Sequence, residues 1–131
     1  AERAVTVALD LAGRFDATVH ALYVVDAGEV ASSPDEVRDD LERALTTAGG
    51  RALTFVHESA GDGADADVVT AVREGDPITE ICKYGDEQDV DVVVTGTRGR
   101  SSPGFVLGSV AEGVIRRSDA PVLSVRQSEN A

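Results

Sequence analysis

The stretch that decides the fold is residues 91–125, DVVVTGTRGRSSPGFVLGSVAEGVIRRSDAPVLSV. It begins with Asp91–Thr95, which is short, β-branched and almost wholly apolar, as is typical of a parallel strand covered on both faces. A glycine-rich loop follows, and Ser109–Glu112 then matches the capping box that begins a helix. The segment ends in a second apolar run, Val122–Val125. This order of strand, loop, helix and strand predicts one unit of an α/β fold.

The loop of this segment has the chemistry of an anion site. It offers backbone N–H groups, small hydroxyls and two arginines, but no carboxylate. The start of the helix would face it with free N–H groups and the positive end of the helix dipole. A plain connection whose glycines only serve turns is the alternative. Three glycines, Gly96, Gly99 and Gly108, together with Ser109 at the start of the helix favour a phosphate site.

The same residues resemble a known family. Gly96-x-x-Gly99, a spacer and then Gly108-Ser109 resemble the ATP-binding signature of the universal stress protein family, and the resemblance covers nearly the whole chain. Two departures stand out. The spacer of residues 100–107 has eight residues, one fewer than is usual in the family, and Arg98 stands where the family often has His.

The resemblance implies ATP as the ligand, with Mg²⁺ or Mn²⁺ held mostly through the phosphates. The backbone of Val24, at the end of its strand, would meet the adenine, and the loop would hold the ribose and phosphates. The residues expected to bind the nucleotide are Val24, Gly96, Thr97, Arg98, Gly99, Gly108, Ser109 and Val110. Glu112 opposes this expectation, because a carboxylate in the first turn of a helix competes with a bound phosphate.

The remaining segments alternate helices and strands. An amphipathic helix is expected at 1–15, a long helix from Ser33 through Gly49 and Gly50, and a third from Asp76 to about Gly85. Ser33 and Asp76 are the expected N-caps, each followed by a proline. The long helix should bury an apolar stripe made of Val37, Leu41, Leu45, Ala48, Ala52 and Phe55. Further strands are expected at Thr18–Asp26 and Asp67–Arg73.

This alternation predicts one α/β domain over residues 1–131, with a doubly wound, Rossmann-like parallel sheet and helices on both faces. By resemblance the complete protein has about five strands. The family's first strand, whose Asp contacts the nucleotide, is absent from the sequence, so we expect it to precede the first helix in the natural protein.

The charge composition of the chain narrows the classes of partner that it can bind. The 131 residues carry 24 Asp and Glu against 12 Lys and Arg, a net charge of −12, with Lys83 as the single lysine. Such a surface lacks the basic footprint of a nucleic-acid or anionic-membrane binder, and no apolar run is long enough to span a membrane. Lysine depletion with arginine retained favours a halophile over an ordinary acidic protein. The single Cys82 fits a reducing cytoplasm.

No catalytic set can be assembled from the sequence. His20, His57 and Cys82 lack partners nearby in sequence, so we interpret them as structural. We therefore expect an ATP-dependent sensor or scaffold, with at most slow hydrolysis or autophosphorylation. The alternatives are a nucleotide-independent interaction protein of the same family and, less favoured, an enzyme of the adenine-nucleotide α-hydrolase type. The run Val122–Val125 would lie at a sheet edge, which together with the resemblance implies a homodimer through that strand.

Overall fold

The computed structural model describes residues 2–61, 67–97 and 108–126. Helices and strands alternate in these residues, and their order is α1 (Glu2–Phe15), β1 (Thr18–Asp26), α2 (Ala27–Ala31), α3 (Asp35–Ala60), β2 (Asp67–Gly75), α4 (Pro77–Gln88), β3 (Val93–Thr97), α5 (Ser109–Arg117) and β4 (Val122–Arg126). The expected α/β architecture is confirmed, and β1 has the predicted bounds.

All strand pairing in the described residues is parallel. The β1 strand pairs with β2 from Thr18 opposite Asp67 onwards, and β3 pairs with β4 from Val93 opposite Val122 onwards. These pairs form two separate two-stranded sheets instead of one continuous sheet. The fifth strand expected by resemblance stays a prediction.

Helices cover both faces of the β1–β2 sheet, as the sequence predicts. Successive side chains of a strand point to opposite faces, and two residues of β1 show which helix covers which face. Tyr23 packs against Gly49 of α3, whereas His20 lies against Tyr84 of α4, with 2.9 Å between His20 Nδ1 and Tyr84 Oη. The helices α1 and α3 also contact each other, as do α4 and α5, and both α1 and α5 contact β3 and β4.

The long helix α3 continues without interruption through Gly49 and Gly50. A Cβ atom at Gly49 would lie 2.8 Å from Cε2 of Tyr23, so only glycine allows the helix to approach the strand this closely. A Cβ atom at Gly50 would meet no atom within 4 Å, and this residue is exposed. The predicted stripe is therefore only partly correct. Its members Leu41 and Leu45 do face inward, but the buried line continues through Gly49, Leu53 and Val56, leaving Val37, Ala48 and Ala52 exposed.

One of the three expected helix caps is confirmed. Asp76 Oδ2 accepts a hydrogen bond of 3.0 Å from the Thr79 N–H, with Pro77 as the first helical residue. The cap at Ser33 is wrong, because its hydroxyl instead donates to the Glu29 carbonyl of α2 and Pro34 holds the cap position.

The cap at Ser109 is also wrong. Gly108 takes the cap position with φ at +88°, a conformation that favours glycine, so Ser109 becomes the first helical residue. A residue inside the helix cannot reach the N–H groups that an N-cap side chain satisfies.

Other elements also differ from the prediction. The β2 strand extends beyond Arg73 to Gly75, and β4 extends beyond Val125 to Arg126. The helix α2 was not predicted, although Asp26 caps it by accepting from the N–H groups of Gly28 and Glu29. The α4 helix continues three residues beyond Gly85 to Gln88. Asp89 is its C-cap and adopts the left-handed conformation with φ at 54°. The β3 strand begins two residues late because its pairing with β4 starts only at Val93, whose N–H bonds the Pro121 carbonyl.

The cap of α4 should make stability depend on pH. The Thr79 N–H bonding to the carboxylate is the main cause that lowers the pKa of Asp76, followed by the Thr79 hydroxyl. Because the pKa is lower in the folded state, the stabilisation is complete above the ordinary Asp pKa and disappears as the pH falls through the lowered one. We expect Asp76→Ala to lower the Tm at pH 7 by roughly 4 °C, and this deficit to vanish in acid.

Asp76→Asn is the matched control, since Asn caps a helix without a titrating group. Thermal unfolding followed by circular dichroism from pH 7 to 2 measures both variants. A deficit of Asp76→Ala that stays constant over this range would contradict a charged cap.

Candidate functional site

The carboxyl ends of the strands are where ligands bind in open parallel sheets. In the β1–β2 sheet, this end carries Val24–Asp26 opposite Arg73–Gly75. In the β3–β4 sheet, Gly96 lies opposite Val125 and Thr97 opposite Arg126. The predicted site residues on strands therefore do lie at carboxyl ends.

The first turn of α5 presents backbone donors that have no acceptor within the helix. The first intrahelical bond runs from the Glu112 N–H to the Gly108 carbonyl at 3.1 Å. The N–H groups of Ser109, Val110 and Ala111 precede it and have no acceptor one turn earlier in the helix. Because Gly108 has no side chain to cap them and Ser109 is exposed, these donors can receive an anion.

Glu112 does not compete for these donors in the way the sequence suggests. Its Oε2 accepts a hydrogen bond of 2.8 Å from Arg116 Nη2, one turn further along the helix. The ion pair draws the carboxylate towards the C-terminal end of α5 and offsets its charge. An approaching anion therefore meets the helix dipole with less opposition from Glu112 than an unpaired carboxylate would give.

The predicted binding residues occupy three places. Gly96 and Thr97 end β3 and belong to the strand instead of the loop, which corrects the sequence prediction. Gly108, Ser109 and Val110 lie together at the start of α5, which contacts β3 and β4. Val24 lies in the other sheet, opposite Arg73. The remaining two predicted residues, Arg98 and Gly99, lie outside the described residues.

Contacts with α4 fix the position of α5. A Cβ atom at Gly113 would lie 2.8 Å from Cγ1 of Ile78, so the two helices touch at this glycine. Arg117 Nη1 also lies 3.5 Å from the Thr79 hydroxyl. On the inner side, Val114 is fully buried. The first turn of α5 thus extends from a helix that is held on two sides.

A polar cluster beside Val24 was not predicted from the sequence. Tyr84 is only 5% exposed, and its ring meets the His20 imidazole edge to face and the Arg73 guanidinium at 5.1 Å. Arg73 also pairs with Glu87 at 3.3 Å. His20 and Arg73 are about 50 residues apart in sequence, and only the β1–β2 register brings them to one face. The cluster anchors α4 to both strands, so the structural interpretation of His20 holds, although it does have a partner.

Cys82 is half-buried, and burial is the main cause that raises the pKa of its thiol. A raised pKa keeps the thiol protonated and unreactive, which agrees with a packing role. Among the described residues, no three His, Cys, Asp or Glu side chains are grouped to hold a metal ion. None of the described helices combines the length and apolar character needed to cross a membrane.

Sequence comparison identifies relatives along nearly the whole chain. Residues 1–126 match the sequence model of the universal stress protein family. A universal stress protein of Methanocaldococcus jannaschii is 35% identical over 122 residues, which cover 92% of this chain and 71% of that protein.

Solved structures give the same result. The universal stress protein UspA from Lactobacillus plantarum superposes with a TM-score of 0.75 at 27% identity, covering 95% of this chain and 88% of that one. A universal stress protein from Archaeoglobus fulgidus, solved in complex with dAMP, superposes with a TM-score of 0.62 at 25% identity, covering 95% and 86% of the two chains.

Proposed function

This chain belongs to the universal stress protein family, and from that premise we propose that it binds ATP and acts as a nucleotide-dependent sensor or scaffold. The observation that carries the proposal is the first turn of α5, where Gly108 holds the cap position without a side chain in a helix that contacts β3. The backbone N–H groups of this turn and the helix dipole suit a phosphate. The dAMP complex of the relative from Archaeoglobus fulgidus supports an adenine nucleotide as the ligand class.

The proposal assigns each part of the nucleotide to a part of the site. The backbone of Val24 meets the adenine, while Gly96 and Thr97, with Arg98 and Gly99 beyond them, hold the ribose and first phosphates. Gly108, Ser109 and Val110 bind the distal phosphates through N–H groups and the Ser109 hydroxyl. Mg²⁺ or Mn²⁺ would be held through the phosphates.

A second part of the proposal concerns how two chains associate and in which environment the protein works. We propose a single domain that pairs as a homodimer through Val122–Val125. The outer edge of β4 has no strand partner in the described sheets, and Leu123 is 40% exposed there. A second copy would cover this edge. The acidic, lysine-poor surface supports a cytoplasm rich in salt as the working environment.

Calorimetric titration of Mg-ATP into the protein in high salt tests the proposal. We expect saturable binding at micromolar concentrations, roughly one site per chain, because several N–H donors and a dipole act on a highly charged ligand. Mg-CTP is the control for recognition of the base. Folded, nucleotide-free protein that takes up no ATP would contradict the proposal.

That negative result would favour a second function, a dimeric interaction protein that works without nucleotide. The specific observation on its side is the eight-residue spacer of residues 100–107, one residue short of the usual family length. The two functions share the β4 edge, so sedimentation of the nucleotide-free protein would still show a dimer.

A further inference from the structure

The outward side of α3 carries an uncovered face. The sequence predicts that Val37, Ala48 and Ala52 face the core, but all three are exposed, and Val37 is 46% exposed. An open surface patch on the same side of the helix is formed by Asp40, Arg43, Ala44, Thr47, Ala48 and Arg51. Every residue of the patch belongs to α3, and none of them belongs to the site at α5.

Along this face of α3, charges of opposite sign flank two central alanines. Residues three or four apart share a helix face, and this face consists in sequence of Val37, Asp40, Ala44, Ala48, Arg51 and Phe55. An apolar residue stands at each end and two alanines stand at the centre. The charges between them have opposite sign, with Asp40 on one side and Arg51 on the other.

We propose that this face binds the same face of a second copy of the chain, with the two α3 helices antiparallel about a two-fold axis near residue 46. In this register Asp40 meets Arg51 of the second copy, and Arg51 meets its Asp40. The two alanines face each other across the axis, and Val37 reaches the level of Phe55. A two-fold contact needs a surface complementary to itself, and the charges of this face meet that condition.

The charges and the alanines support this occupant over an unrelated partner. Asp40 and Arg51 are exposed, and Arg51 has no ion-pair partner in the parts of the chain that the structure describes. Asp40 lies 3.3 Å from Arg43, a pair so exposed that little energy holds it. The central alanines allow the helix backbones to approach closely. Two paired helices form a small interface, so the association is weak and depends on concentration.

Charge exchange tests the contact. We expect sedimentation equilibrium, in the lowest salt at which circular dichroism shows folded protein, to resolve this association as a step beyond any dimer through β4. Arg51→Glu, which places two acids together, should raise the dissociation constant of this step about tenfold or more. Asp40→Arg does the same, and the double variant Asp40→Arg/Arg51→Glu restores it. Arg14→Glu is the matched control, since it breaks the exposed Asp10–Arg14 pair of α1 with the same change in net charge.

Cross-linking separates this contact from a dimer through β4. We would mix Asp40→Cys protein with Arg51→Cys protein, both carrying Cys82→Ala, under mild oxidation. The mixed disulfide dimer forms, and its second Asp40–Arg51 pair stays intact. Either protein alone stays monomeric on a non-reducing gel, because the two identical cysteines lie roughly 17 Å apart along the helices.

Each other outcome overturns the proposal. A wild-type protein that does not associate, an Arg51→Glu variant that behaves like Arg14→Glu, or a double variant that fails to recover excludes the contact. Disulfide dimers of Asp40→Cys alone, or the lack of a mixed dimer, exclude the antiparallel register. None of these results bears on ATP binding.

Discussion

Gly49→Ala should destabilise the protein by about 1 kcal/mol, although alanine normally stabilises a helix. The added Cβ would lie under 3 Å from the Tyr23 ring, at the part of the ring nearest the backbone, where rotation of the side chain gives little relief. Overpacking of this kind costs about 1–3 kcal/mol, against which the helix propensity of alanine returns only about 1 kcal/mol. Urea denaturation followed by circular dichroism measures the change.

The neighbouring residue supplies the control. Gly50→Ala adds the same atom one position along the same helix, into open space. We expect it to stabilise the protein by about 1 kcal/mol through helix propensity alone. Two single-methyl changes with opposite signs would show that contact with Tyr23 requires glycine at 49. Equal stabilisation by both would mean that α3 does not approach β1 as closely as described.

Ser109→Pro should weaken ATP binding at least about thirtyfold while the protein stays folded. Proline is well tolerated at the first position of a helix, and the ψ of 147° at Gly108 suits the residue before a proline. The substitution removes both the hydroxyl and the N–H that we propose to bind a distal phosphate. A hydrogen bond to a charged group contributes about 1.5–3 kcal/mol, and calorimetric titration with Mg-ATP measures its loss.

Ser109→Ala is the companion variant, since it removes only the hydroxyl. We expect a loss of about threefold to tenfold in affinity. Gly108 holds the cap position, so the free energy of unfolding should change by less than about 0.5 kcal/mol. If folded Ser109→Pro protein binds ATP as tightly as the wild type, the N–H groups of α5 do not hold the phosphates.

The sequence predicts most reliably what neighbouring residues decide. The strand Thr18–Asp26 has the expected bounds, and Asp76 with Pro77 forms the expected cap, because these signals are complete within a few residues. The pattern of Asp26 and Glu29 could have revealed α2 in the same way. Local chemistry of this kind accounts for much of the element order and for the placement of the site at the strand ends.

The errors occur where distant segments compete for the same groups. The β3 strand starts late because the register with β4 fixes its first bond. Which face of α3 points inward depends on the contact of Gly49 with Tyr23, and Tyr23 lies about 26 residues earlier in the chain. None of these choices is visible in a window of local sequence. The cluster around Tyr84 was not predicted for the same reason.

The contact between Ile78 and Gly113 has a consequence for how sequences with this fold can change. The space beside α5 holds the isoleucine only because position 113 lacks a side chain. A larger residue at 113 is therefore admissible only when position 78 becomes smaller, and neither change is neutral alone. Across divergent members of the fold, the summed volume at the two positions should vary less than the volume at either one. With respect to mutation, the pair behaves as a single site divided between two helices.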